Sequence, residues 1–188
     1  DTCDLSHPGT PASTVALLRA GADTIDHLVL SDSPVVLDLG ARVEVVHDHR
    51  VTRTSLSERA AVLAGDGDLD SPAHLSRVAD LISAQRRYRN RPGGHWVAAA
   101  SPEAADHAVT GSTPRSSVRR AAVLTDGASR LVDLFGLTDW AGLLDLLAVA
   151  GPDAVVDRVR AAERDDPDGV RHPRAKRHDD ATAVYCEP

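Results

Sequence analysis

The chain has 188 residues, a length that suits one domain and leaves two cramped. Apolar residues make up 42% and charged residues 26%, which favours folding over disorder, and with 2 Trp, 2 Tyr and 1 Phe the core must come from Val, Leu, Ile and Ala. A net charge of −7 argues against the basic surface of a bulk nucleic-acid binder, and no apolar run approaches the roughly 20 residues of a membrane-spanning helix.

In chain order, residues 12–18 read as a buried strand behind the turn-forming stretch 7–11. Residues 27–30, 35–37 and 42–46 follow as short apolar runs separated by turns, the spacing of an antiparallel meander. Ser71-Pro72 supplies an N-cap with proline at the first helical position, and Leu75, Val78, Leu81 and Ile82 recur at helical spacing, so residues 72–88 are predicted as an amphipathic helix. Residues 95–100 read as a further strand, and Ser101-Pro102 opens a short helix.

Residues 120–125 read as a strand that ends at Asp126-Gly127. Two helices are expected next. Trp140, Leu143, Leu144 and Leu147 share a face of the first; Val155, Val156 and Val159 share a face of the second, which starts at Pro152. Residues 181–186 form the last predicted strand, directly after Asp179-Asp180. Residues 63–71 and 165–180 look loose. There is no internal repeat, and the order of elements predicts an α+β fold of packed sheets with helices outside them.

The two cysteines, Cys3 and Cys186, are too few for a disulfide scaffold or a four-cysteine zinc site. A single bridge between them is one reading; a reduced, cytoplasmic chain is the expected one. The chain contains no methionine and opens on Asp1, which points to a domain incomplete at its N-terminus.

Acidic residues stand at three predicted strand boundaries: Asp32, Asp126 and the pair Asp179-Asp180. Hard divalent cations take oxygen ligands from several carboxylates, and carboxylates at the ends of neighbouring strands can converge. Asp also ends strands simply because it favours turns.

The motifs Ser31-Asp-Ser-Pro-Val-Val-Leu37, Leu124-Thr-Asp-Gly-Ala-Ser129 and Arg177-His-Asp-Asp-Ala-Thr-Ala-Val184 occur in the order seen in metal-dependent protein phosphatases of the PP2C type. The chain resembles the C-terminal two-thirds of that domain, in the small bacterial branch where the final Asp-Asn pair reads Asp-Asp. The resemblance implies a PP2C-like sandwich of two antiparallel β-sheets flanked by α-helices, and two or three Mn²⁺ or Mg²⁺ ions at the sheet ends. It implies that Asp126 and Asp179 bind a metal, that Asp32 helps hold a third ion, and that Asp180 stands behind the ions. Gly127 is expected to let the backbone turn tightly beside them. The implied activity is hydrolysis of phosphoserine and phosphothreonine in a protein partner by metal-activated water, with no protein nucleophile. Consistently, neither Gly-x-Ser-x-Gly nor a phosphate-binding Gly-x-x-x-x-Gly-Lys loop occurs.

The family's first metal ligands, in an Arg/Asn-Glu-Asp segment and an Asp-Gly turn, have no match in residues 1–12, and the family's phosphate-binding arginine belongs to the same region. Ser31 stands where the family has the glycine of a Gly-Asp-Ser turn. These 188 residues by themselves are therefore expected not to assemble a bridged two-metal centre. A non-catalytic regulatory or binding module on the same fold is the alternative, and an unrelated sandwich the weaker one.

Other features read as structural. His47-Asp-His49 has no evident third or fourth zinc ligand, so a solvated turn is expected. Asp66-Gly-Asp-Leu-Asp70 opens like a calcium loop, but Ser71 and Arg77 fall where glycine and the closing acid should be. Arg171, Arg174, Lys176 and Arg177 form a basic run that reads as a solvated loop, or as a border that attracts a phosphorylated substrate. Trp96 and Trp140 are expected in the core; Thr14, Ser33 and Ser129 are expected as ordinary turn or strand residues.

Overall fold

The computed structural model describes residues 9–65 and 68–188. Strands β1 (Val15–Ala20) and β2 (Thr24–Leu30) form a hairpin, and β5 (Val109–Pro114) joins the other edge of β2. The second sheet has the order β4-β3-β6-β7, from β3 (Val35–Asp38), β4 (Val43–Val46), β6 (Arg120–Leu124) and β7 (Ala183–Cys186). Every neighbouring pair in both sheets is antiparallel. The expectation of an α+β fold with two antiparallel sheets and helices is met.

Alternation along the central strands sets the layers. Val35 and Leu37 of β3 and Ala121 of β6 meet Ile25 and Val29 of β2 between the sheets. The intervening residues, Val36 on β3 with Ala122 and Leu124 on β6, pack on the helical side. There they contact α4 (Asp126–Asp133) and α5 (Trp140–Asp165) through Leu131, Leu143, Leu147, Val155 and Val159. The outer side of the first sheet is closed by Trp96 and Ala104 packing on Leu30. Within α5, Gly151 has φ 80° and ψ 175°, so the backbone breaks and restarts at Pro152, as the two-helix pattern predicts.

The short helices α1 (Arg50–Arg53) and α2 (Leu56–Leu63) precede α3 (Pro72–Tyr88), and α2 packs against α3. Ser71 caps α3 by accepting from the His74 N–H, so the helix runs over the predicted span. Its predicted apolar face is only partly covered: Leu81 is buried, whereas Leu75 and Ile82 are exposed.

Several expectations need correction. The first strand starts at Val15 rather than at residue 12. The meander is interrupted, because residues 31–34 carry the chain from the first sheet to the second and β2 never pairs with β3. Ser31 makes this possible with a left-handed φ of 72°. Residues 95–100 form no strand; they contribute only the isolated bridges Ser13–Ala98 and Arg89–His95. The strand β5, with glycine and proline in a six-residue run, carries no apolar pattern to announce it. Cys3 and the start of the calcium-like loop, Asp66-Gly67, lie outside the described residues; Cys186 carries a free thiol. Among the described residues no helix is long and apolar enough to cross a membrane.

Candidate functional site

Strand order brings the acidic motifs together. β3 and β7 both run antiparallel to the intervening β6, so the turn before β3, the end of β6 and the approach to β7 lie at one end of the sheet. Those positions hold Asp32, Asp126 and Asp179. Two backbone bonds fix the alignment: Leu124 N–H to the Pro34 carbonyl, and Thr125 N–H to the Thr182 carbonyl, each 3.0 Å. All three acids border one cleft of about 620 Å³, whose opposite wall is built from α2, α3 and the segment that follows α3.

Asp126 opens α4 instead of merely ending β6. Its carboxylate accepts the Gly127 N–H at 2.9 Å, as an acid in a helical first turn does. The residue is exposed overall, but loss of hydration within the cleft and then the charges of Asp179 and Asp32 push its pKa up to about 6. Among the described residues no ion pair reaches Asp126 or Asp32. Gly127 is buried, and a Cβ on it would lie 2.2 Å from the Asp180 carbonyl oxygen. Glycine is thus required here by the close approach of two backbones.

The acidic turn before β3 is held from beneath. Asp48, 2% exposed, accepts the Ser31 N–H at 3.3 Å and two guanidinium N–H groups of Arg50. Burial opposes its ionisation, but the Arg50 bonds outweigh that and keep the carboxyl below its ordinary pKa. Thr14 and Ser33 share a 2.7 Å hydroxyl bond beside the same turn. His47-Asp48-His49 is therefore no solvated turn, since its central acid is a buried brace. The two imidazoles stack with centroids 4.3 Å apart, and burial, then the charge of His49, lowers the pKa of His47.

Asp179 is buried and heavily engaged. Arg130 of α4 donates to Oδ2 at 2.7 Å, and Lys176 pairs with Oδ1. Arg130 also binds Glu163 at 3.0 Å, and Glu163 is 0% exposed. Arg160 and His178 reach the other oxygen of Glu163 at 2.6 and 2.8 Å. Burial opposes ionisation of Glu163, but its bonds to His178, Arg160 and Arg130 prevail and hold its pKa below the usual value. Most of this network has no signature in the sequence. One signal existed: Glu163 continues the Val155, Val159 stripe at helical spacing, so an acid falls on the buried face.

The basic run is a set of anchors. Arg174, 3% exposed, pairs with the buried Asp166 at 3.1 Å, and Arg177 binds Asp70 at 2.7 Å. Arg171 donates to the Asp165 carbonyl. Residues 166–182 thus lack regular structure yet are tied down, and only Lys176 of the four basic side chains pairs with the acidic cluster. Asp180 is exposed; its carbonyl accepts from the Thr125 hydroxyl at 3.0 Å. Ser129 is buried and donates to the Asp126 carbonyl; Trp96 is buried and stacked on His107, and Trp140 is half-buried against the helical core.

The residues present fit a divalent cation in part. Among the described residues Asp126 and Asp32 offer carboxylates that no ion pair engages, while both oxygens of Asp179 are taken. Lys176 is 59% exposed on its side chain, so its bond is readily exchanged; Arg130, at 13%, is fixed. Among the described residues no group of three or more His, Cys, Asp or Glu is arranged to hold a metal ion.

The raised pKa of Asp126 has a measurable consequence without any ligand. A carboxyl whose folded pKa lies above its unfolded value favours the fold at low pH, and that contribution is lost between about pH 4 and pH 6. Asp126→Asn is therefore expected to stabilise the protein at pH 7.5 by about 1 kcal/mol after allowance for exposure, or about 2–4 °C in Tm. The gain should shrink towards pH 4, which paired thermal melts would show.

No protein-family model matches the chain, and a comparison with curated proteins finds no match.

Proposed function

We propose that the cleft is the active site of a divalent-cation-dependent phosphatase of the PP2C type, acting on phosphoserine and phosphothreonine in protein partners in the cytoplasm. The observation that carries this reading is the convergence of Asp32, Asp126 and Asp179 at one sheet end, with Asp126 pushed to about 6 by its surroundings. An acid whose ionisation is opposed by its surroundings, as that of Asp126 is, is expected where a cation is to be held. The left-handed Ser31, at the position that resembles the family's glycine, supports the same reading.

A bound Mn²⁺ or Mg²⁺ would supply charge for the phosphoryl oxygens and acidity for the attacking water. The chain's own residues prepare the place. Asp126 and Asp32 present carboxylates to the cleft, Arg130 holds Asp179 against the sheet end, and Asp48 fixes the turn that carries Asp32. Asp180, exposed beside them, orders the approach to β7 through its carbonyl. No nucleophilic side chain is needed.

One observation favours the second reading, a non-catalytic regulatory or binding module: Asp179 is already neutralised by Arg130 and Lys176. Hydrolysis of an aryl phosphate separates the two. A chain extended by a segment that carries the Glu-Asp and Asp-Gly motifs is expected to turn over only with Mn²⁺ or Mg²⁺, and Asp126→Ala should abolish that turnover. Full activity in the variant would remove Asp126 from the mechanism; no turnover in the extended protein would favour the module.

A further inference from the structure

The wall of the cleft that faces the acids is basic and uncommitted. Arg59 of α2 and Arg89, which closes α3, both line the same cleft as Asp32, Asp126 and Asp179. Among the described residues neither arginine is paired with a carboxylate. The Nε of Arg59 is buried without a hydrogen-bond partner, and Arg89 donates a single long bond, 3.5 Å, to the Thr10 carbonyl. The other arginines of the cleft are spoken for: Arg130 by Glu163 and Asp179, and Arg174 by Asp166. A buried donor with nothing to bind is unfavourable, a penalty that an anion in the cleft would remove.

The neighbourhood reinforces the point. Burial and then the like charge of Arg86 lower the pKa of Arg89, as happens to a guanidinium with no counter-ion beside it. His95, which lines the same cleft and is 4% exposed, has its pKa lowered by burial and then by the charge of Arg89. The chain as a whole is acidic, and three carboxylates face the arginines across the cleft. Long polyanions are repelled by such a surface along their whole length, whereas a single phosphate group on an otherwise neutral segment meets that repulsion at one point, where the two arginines offset it.

We propose that Arg59 and Arg89 form an anion subsite that receives the phosphate group of a phosphorylated ligand entering the cleft. Planar guanidinium groups suit a phosphate because they donate two parallel N–H bonds to its oxygens. The inference deepens the phosphatase reading by naming what the phosphate meets, yet it rests on arginines outside the three motifs and requires no cation.

The test is a titration of the whole chain with inorganic phosphate in the presence of EDTA, at constant ionic strength, followed by calorimetry or by phosphorus NMR line broadening. Wild type should bind, and Arg59→Gln and Arg89→Gln should each weaken binding about tenfold, while Arg53→Gln, an exposed arginine on α1, should leave it unchanged. Without phosphate, Arg59→Gln should melt no lower than wild type, since it removes a donor that has no partner. Absence of phosphate binding by wild type, undiminished binding in both variants, or an equal loss in Arg53→Gln would overturn the subsite. Mn²⁺ binding alongside a failed phosphate titration would leave the cation reading standing, and the reverse would leave the anion subsite standing alone.

Discussion

Glu163→Ala is expected to cost about 3–5 kcal/mol, which at this chain length lowers Tm by roughly 6–20 °C. The carboxylate is wholly buried and gathers Arg130, Arg160 and His178 at 2.6–3.0 Å. Removing it leaves two guanidinium groups in a space that water cannot easily fill. The damage should reach the cleft, because Arg130 is the bridge between Glu163 and Asp179. Glu163→Gln, which keeps the volume and one acceptor, should fall between wild type and alanine. The pH dependence has a definite sign. The folded pKa is depressed, so the stabilisation is present above the unfolded pKa, near 4.5, and is lost as pH falls through the lower folded value. Melts of wild type and Glu163→Gln should converge on acidification. Equal stability of all three proteins at pH 7.5 would mean that Glu163 is not the centre of this network.

Gly127→Ala is the second large effect. The added methyl would lie 2.2 Å from the Asp180 carbonyl oxygen, 2.9 Å from its carbon and 3.1 Å from the Asp179 Cβ. The nearest obstacles are main-chain atoms, so no rotamer change relieves the clash. Either α4 must retreat or the approach to β7 must move, and both carry acids of the cleft. Overpacking of this kind costs about 1–3 kcal/mol, or roughly 2–12 °C in Tm. The Thr125 hydroxyl bond to the Asp180 carbonyl, 3.0 Å, should be lost with it. A Gly127→Ala protein with wild-type Tm would show that the two backbones are not in contact.

The sequence exposed those elements whose energetics are local. Ser71-Pro72 caps and starts α3, Pro152 restarts α5 after Gly151, and the short apolar runs of β3, β4 and β6 mark strands bounded by turns. What stayed hidden depends on distant partners. The segment 95–100 has strand composition, yet its backbone finds only two isolated bridges, because Trp96 is spent on covering the first sheet. β5 carries Gly111 and Pro114 and is a strand only because β2 offers it an edge. The acids at 32, 126 and 179 could be singled out by motif, since turns next to strands are short and regular. Their partnerships could not: helical spacing marks Glu163 as an acid on a buried face, but its bond to Arg130, the Arg130 bond to Asp179 and the Asp48 bond to Ser31 span 17 to 49 residues, where no periodicity operates. The basic run at 171–177 misled for the same reason, as its charges are absorbed by Asp70, Asp166 and Asp179.

The acids at one sheet end are proposed to hold a divalent cation, and a calorimetric Mn²⁺ titration of wild type beside Asp126→Asn measures this most directly. Binding by wild type, accompanied by a rise in Tm, and its loss in the variant despite that variant's greater stability without metal, is the predicted result. Equal Mn²⁺ affinity in the two proteins, or no binding by either, would contradict it.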